Sequence, residues 1–324
     1  MTPHSPRLID RRFVVLSGKG GVGRTTVAAG LARAAADAGK RVLIAQTDAA
    51  ERLGRMFGRP GPVGRDIVAL APGVDAVNMS PHTAVHEYGL MVLRSELVYR
   101  ALFENRAVRG FLGAIPGLDA YAMLGKAWWH TTETAAGGRP RYDLVLLDGP
   151  ASGHATLMLR IPQAILEAMP KGPLNRDARA IRDLLADTHR AALVIVTLAE
   201  ELPVRETVEL ARAARDRLHI PVAAVVVNAV TSGALSDAPV AGVLDRAPPP
   251  TGDAMLDATL RMAASVRAHR RVAEEMLARL RADPGAPLLT LPRLPATDIG
   301  PEQIAIIASA LTASAPVVVR GDSI

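Results

Sequence analysis

The stretch "FVVLSGKGGVGRTTVAAGLARAAADAG" constrains the fold more than any other part of the chain. Phe13–Ser17 reads as a short buried strand, Gly18–Gly23 as a glycine loop, and Arg24 to Ala38 as a helix stopped by Gly39. A strand passing through such a loop into a helix is half of a parallel βα unit, and it needs a neighbouring strand to pair with. The loop also carries chemistry. Gly18-Lys19-Gly20-Gly21-Val22-Gly23-Arg24-Thr25 fits the phosphate-binding pattern G-x-x-x-x-G-K-[ST] except that Arg24 stands at the lysine position; Thr26 follows. Glycines let backbone N–H groups turn toward a phosphate, and the helix N-terminus adds a partial positive charge. Thr25 is placed to coordinate Mg²⁺. The loop therefore predicts binding of a nucleoside triphosphate such as ATP, with Mg²⁺.

The remaining pattern extends the same architecture. "KRVLIAQTD", "VDAVNM", "YDLVLLDGP", "AALVIVTL", "PVAAVVVN" and "APLLTLP" read as strands, several of them continuous apolar runs of the kind found in central parallel strands. Helical periodicity fills most gaps between them. The fold class is thus α/β: a doubly wound, mostly parallel sheet. A helix-only block at about residues 80–135 interrupts the alternation and reads as a helical subdomain inserted into a single domain spanning 1–324. Ser232–Gly252, rich in Pro, Gly, Ala and Asp, reads as a connection, and a long helix follows at about Met255–Arg281.

Composition excludes several classes. The chain has no cysteine, which rules out disulfides, thiolate zinc sites and thiol capture of soft ions. A reducing, cytoplasmic location fits. The N-terminal "MTPHSPRLIDRRF" does not read as a secretory signal, and no run of eighteen apolar residues is present. The formal charge of +6 permits contact with nucleic acid or anionic lipid, but the arginines are scattered through helices, so a solvated surface is the preferred reading and nucleic acid is disfavoured. Only four of the 38 Lys and Arg residues are lysines: Lys19, Lys40, Lys126 and Lys171. In so arginine-dominated a chain, Arg24 is a cheap replacement wherever charge alone suffices, although a bulkier guanidinium is not equivalent to an ammonium.

Two acidic residues stand where ligands bind in such sheets, at the C-terminal ends of apolar strands: Asp48 after "VLIAQT" and Asp148 after "LVLL". Either alone would serve as a strand-closing polar group or a helix cap. Beside a phosphate-binding loop, both are site candidates.

Several segments, taken together and in order, resemble a known family. Lys19 inside "KGGVG" marks the deviant Walker A class of P-loop proteins. "YDLVLLDGPASGHATLMLRIP" looks like the switch II segment of the ArsA-type ATPases, which include arsenite-pump and tail-anchored-protein targeting members, and "QTDAAERLGRMFG" resembles their switch I. The resemblance implies that Asp148 holds the Mg²⁺ shell, that Gly153 and His154 belong to the loop sensing the terminal phosphate, and that Asp48 positions the attacking water. Ala49 and Glu51 replace the family's Pro and His there. It further implies a nucleotide-binding glutamate in "TLAEELPVRET", assigned to Glu200 over the adjoining Glu201 on its spacing to Glu206 and Thr207, and an adenine-binding asparagine, Asn228. Lys19 would reach across a dimer interface to the partner's nucleotide, in a homodimer or a heterodimer with a paralogue.

The implied activity is Mg²⁺-dependent ATP hydrolysis in a dimeric switch that acts on a protein cargo or a membrane-associated partner. An ATP-binding regulator with little hydrolysis, because of Arg24, is the alternative; a ParA-like partition ATPase is a weaker one. Relatives with a zinc clasp or metalloid site build them from cysteine, so zinc is not expected. In the helical block, Met79, Met91, Met123, Trp128 and Trp129 read as core before cargo groove. Arg261, Arg267, Arg270, Arg271, Arg279 and Arg281 read as a solvated helix face.

Overall fold

The computed structural model describes residues 6–47, 52–93, 95–103, 106, 117–169, 171–231, 251–282, 285–296 and 298–313. Eight strands form one sheet. β1 (Phe13–Gly18), β2 (Val42–Thr47), β4 (Val74–Met79), β5 (Leu144–Ala151), β6 (Ala191–Leu198), β7 (Val222–Val230) and β8 (Leu288–Pro292) are mutually parallel. β3 (Val68–Ala71) pairs antiparallel with β4 at one edge. The spatial order is β3-β4-β2-β5-β1-β6-β7-β8. β1 lies between β5 and β6, and the order reverses around it. That is where ligands bind in open α/β sheets.

Period-2 alternation sends each central strand into two layers. Phe13 and Val15 of β1 pack into one layer and Val14 and Leu16 into the other; in β5, Val145 and Leu147 oppose Leu144 and Leu146. The second layer is closed by α1 (Arg24–Asp37), α2 (Leu53–Met56) and α10 (Pro301–Ala313). The first is closed by α3 (Pro81–Leu93), α5 (Leu118–His130), α6 (Ser152–Ala168), α7 (Pro173–Ala186) and α8 (Glu201–Asp216). Between α3 and α5 lies α4 (Glu96–Phe103), and between β7 and β8 lies α9 (Ala254–Ala282). No helix among the described residues is long and apolar enough to cross a membrane.

The expected α/β class and mostly parallel sheet are present. The sequence reading passes over β3, which turns back from β4 through Gly73 in the left-handed region (φ 79°). "APGV" carried the turn signal, but a four-residue edge strand has too little apolar repeat to be seen. Met79, Met123 and Trp128 are core residues, whereas Met91 and Trp129 are only half-buried. Much of the expected long helix after Ala84, and most of the Ser232–Gly252 connection, lies outside the described residues.

α3 and α5 cross closely because Gly125 offers no side chain: a Cβ there would stand 2.4 Å from the Tyr88 ring. The same contact buries Lys126 on α5, whose Nζ donates to a Glu87 carboxylate oxygen on α3. Burial pushes the Glu87 carboxyl up, but the Lys126 ammonium outweighs it and holds the group below its usual range. A carboxyl with a depressed folded pKa stabilises above its unfolded value, about 4.3, and loses that contribution as pH falls through the folded value. Glu87→Gln, which orphans a buried ammonium, is expected to cost about 1–3 kcal/mol at pH 7. Urea unfolding followed against pH checks this: the gap from wild type should close below about pH 4.

Candidate functional site

The glycine loop joins β1 to α1 at the point where the strand order reverses. Gly18 has φ 150°, and a Cβ on it would lie 2.0 Å from the Val196 carbonyl of β6, so only glycine lets β1 leave the sheet here. Gly23 caps α1 from the left-handed region (φ 92°), and a Cβ there would strike the Asn228 amide at 2.2 Å. Over Gly20 and Gly21 there is open space, with nothing within 4 Å of an added Cβ. The backbone amides of the loop and the first turn of α1 lie beside this open space, where a phosphate could approach them.

Asp148 lies in β5, paired in register with Leu16 of β1 and Gln46 of β2. Its carboxylate accepts from Thr25 Oγ1 at 2.7 Å and from Gln46 Nε2 at 3.3 Å, while Thr47 Oγ1 donates to its backbone carbonyl at 3.0 Å. Burial pushes the Asp148 carboxyl up, against the pull of Thr25, Gln46 and the Arg24 guanidinium. A hydroxyl and a carboxylate oxygen held together beside a phosphate cradle are hard donors suited to Mg²⁺, which takes one or two protein ligands and completes its octahedron with phosphate and water. The residues present fit that ion. Among the described residues no cluster of three His, Cys, Asp or Glu is assembled.

Arg24 does not extend from the loop toward solvent. One guanidinium nitrogen donates to the Gly18 carbonyl at 2.8 Å, closing the loop on itself, and burial lowers the pKa of the group. Lys19 instead points across the mouth of the loop. Its Nζ meets Glu206 Oε1 on α8 at 2.5 Å, and the other oxygen of Glu206 accepts from Ser152 Oγ, the first residue of α6, at 2.7 Å. These two contacts hold the Glu206 carboxyl below its usual range. One carboxylate therefore ties the loop lysine to the segment that follows Asp148. Ser17 adds a second tie, its Oγ donating to the Pro150 carbonyl at 3.2 Å.

The structure brings Gly18, Lys19, Gly20, Gly21, Val22, Gly23, Arg24, Thr25, Thr26, Asp148 and Asn228 together. Asn228, at the end of β7, donates from Nδ2 to the Val22 carbonyl at 2.9 Å and so buttresses the loop. His154 is exposed on the first turn of α6, and Glu200 is the exposed N-cap residue of α8. Asp48, with Ala49 and Glu51, lies outside the described residues. Sequence reasoning placed its weight on Glu200, whereas the residue that meets Lys19 is Glu206, six positions further on; Ser152 and Gln46 were not singled out. The adjoining Glu206-Thr207 pair was the available signal, but whether either glutamate faces the loop depends on how α8 rotates against β6.

The family model for anion-transporting ATPases of the ArsA type matches residues 11–173, half of the chain. The ATPase BagA of Mycobacterium tuberculosis is 28% identical over 227 residues, covering 68% of this chain and 66% of that protein. The arsenical pump-driving ATPase of Escherichia coli is 24% identical over 66% of this chain and 37% of its own length. The ATPase GET3 of Kluyveromyces lactis is 26% identical over 56% of this chain and 54% of its own. The chain thus spans just under two thirds of the mycobacterial relative and less of the others. With the family model covering half the chain, the protein belongs to the ArsA-type anion-transporting ATPase family.

Proposed function

We propose that this protein binds ATP with Mg²⁺ and hydrolyses it as a two-subunit switch whose nucleotide state controls a protein or membrane-associated partner. The observation that carries the reading is the 2.7 Å contact between Thr25 and the buried Asp148 carboxylate, set beside an open glycine cradle at the N-terminus of α1. Such an arrangement has one economical use, the phosphate–magnesium end of a nucleotide. Thr25 and Asp148 would hold Mg²⁺, which when bound spreads the charge developing on the transferred phosphoryl group. The loop amides from Gly20 to Thr26 orient the phosphates, and Asn228 keeps the loop in place while lying toward the base. Asp48 orients the attacking water, and His154 and Glu200 border the nucleotide. The block at 80–135 is the partner-binding insertion within a single domain, 1–324, and the cytoplasm is the compartment.

Lys19 is engaged within its own chain by Glu206, so in a lone subunit it does not face the cradle's phosphates. That supports a role for a second copy, or a paralogue, whose approach frees each lysine to serve the facing site. Turnover measured together with solution mass tests this. Wild type should release ADP only with Mg²⁺ and shift to twice its mass with ATP. Lys19→Ala should keep ATP binding and lose about 100-fold or more in kcat. ATP retained intact indefinitely by the wild-type dimer would instead establish the non-hydrolysing regulator.

Two further outcomes follow from the site. Arg24→Lys replaces a guanidinium that is spent on the Gly18 carbonyl with a shorter-headed cation, and kcat should rise by about tenfold. A fall would mark the guanidinium as the working charge. Asp148→Asn should separate stability from function. A buried carboxyl with a raised folded pKa destabilises the fold once the pH exceeds the unfolded carboxylate range, and asparagine removes that penalty while its amide oxygen still accepts from Thr25. The nucleotide-free variant should therefore melt about one to two degrees above wild type at pH 7 (of order 1 kcal/mol), yet show no Mg²⁺-dependent gain in melting temperature from ATP.

A further inference from the structure

Among the described residues, two that are not glycine hold a left-handed backbone, His219 (φ 55°) and Ala229 (φ 54°). His219 has an ordinary reason. It follows the end of α8, where the Leu218 and Ile220 amides donate back to the Ala213 and Ala214 carbonyls, and a left-handed residue is a common way for a helix to stop. Ala229 stands instead inside β7, where the left-handed conformation costs an L-residue energy and strand geometry does not call for it.

The register shows what Ala229 does. β7 advances three residues, from Val227 to Val230, while β8 advances two, from Thr290 to Pro292. One extra residue is therefore let into β7 as a bulge, and it falls just past the last pairing with β6, Leu198 with Asn228. Ahead of the bulge the alternation is regular: Val225 and Val227 pack into the first layer and Val226 into the second. Asn228 accordingly shares the face of Val226, the side of α1 and the glycine loop. Continued without a slip, Val230 would share that face too. It packs into the first layer instead, and its carbonyl accepts from the Arg293 amide at 2.9 Å. The left-handed turn at Ala229 takes up the slip, and Asn228 keeps its strand position.

That position decides what the Asn228 amide can do. Its Nδ2 donates to the Val22 carbonyl at 2.9 Å, so close to the loop that a Cβ on Gly23 would lie 2.2 Å from the same nitrogen. A carbonyl only accepts, so the nitrogen is held on the loop side and the amide oxygen is turned away from it. A carboxamide fixed in this way suits a 6-aminopurine, whose exocyclic amino group donates to the oxygen while N7 accepts from the nitrogen. A 6-oxopurine presents acceptors at both places and meets the oxygen with an oxygen. An amide free to rotate would serve either base with its NH₂ group. We infer that Ala229 is a positioning residue for base selection: its left-handed bulge absorbs the slip that would otherwise draw the Asn228 amide off Val22, and so fixes a preference for an adenine over a guanine nucleotide. This role rests on the ATP reading above.

Equilibrium binding of ATP and of GTP, each with Mg²⁺, tests it on the full chain. Wild type should prefer ATP. Ala229→Val puts a β-branched side chain where the left-handed region is least tolerated, and should weaken ATP binding about tenfold while GTP binding changes by less than about twofold. Ala229→Gly adopts the same backbone freely and should keep the preference for ATP. In an Asn228→Ala background the valine should shift ATP affinity by less than about twofold, because the group it acts through is gone. Ala229→Leu should repeat the pattern at smaller amplitude, and it serves in place of the valine variant if that one melts far below wild type. An ATP-to-GTP ratio untouched by these substitutions, equal loss of both nucleotides, or the same loss without Asn228 would overturn the role of Ala229 and leave ATP binding standing. Wild type that binds both nucleotides alike would overturn it as well, and wild type that binds neither would overturn the ATP reading with it.

Discussion

Everything at the nucleotide end of this molecule depends on one buried carboxylate. Asp148 is placed inside the sheet, between the ends of β1 and β2, where an ionised group is poorly solvated. Its charge is tolerated because two segments supply donors or positive charge: Thr25 and Arg24 from the start of α1, and Gln46 from β2. A carboxylate held in this way is under-compensated, and its ionised form gains from a cation placed beside it. The same desolvation that weakens the fold favours a cation beside this carboxylate, as the Mg²⁺ role proposed for Thr25 and Asp148 requires.

Around that carboxylate, the loops at the strand ends are joined to one another and do not act separately. Glu206 accepts from Lys19 of the glycine loop and from Ser152 at the head of α6, four residues after Asp148. Ser17 and Thr47 add backbone ties to the same β5 segment. A displacement of the β5–α6 turn is therefore felt at Lys19 through a single bridging side chain. Because that bridge is partly exposed, solvent competes for it directly. A fully buried pair would be far harder to open.

The helices on the first face serve a different purpose from those on the second. α1, α2 and α10 hold the loop and strand ends rigidly, with apolar contacts along their length. On the other side α3 and α5 meet through Gly125, Tyr88 and the Glu87–Lys126 pair, a contact that combines close packing with a charge sensitive to its surroundings. α9 departs from both patterns, since only its end belongs to the core.

How much of this was legible beforehand divides along physical lines. The α/β class, the parallel strands and the glycine loop followed from local signals: apolar runs too continuous for one-sided strands, and glycines at the positions where a chain must leave a strand and start a helix. Asp148 and Asn228 were legible for a related reason, being polar residues that end apolar strands, and a parallel sheet gathers its C-terminal strand ends at one edge. Contacts between elements were not legible. No spacing in the chain says that α8 turns Glu206, and not Glu200, toward Lys19, or that Arg24 folds back onto Gly18, because each depends on the rotation and approach of pieces that are distant in sequence or on which side of a loop has room. The strand β7 was written in the residues, but the place where its alternation slips was not. Periodicity determines which side chains share a face; only the packed structure, where pairing with β8 sets the register, decided that Ala229 turns left-handed, sends Val230 to the first layer and leaves Asn228 against the loop.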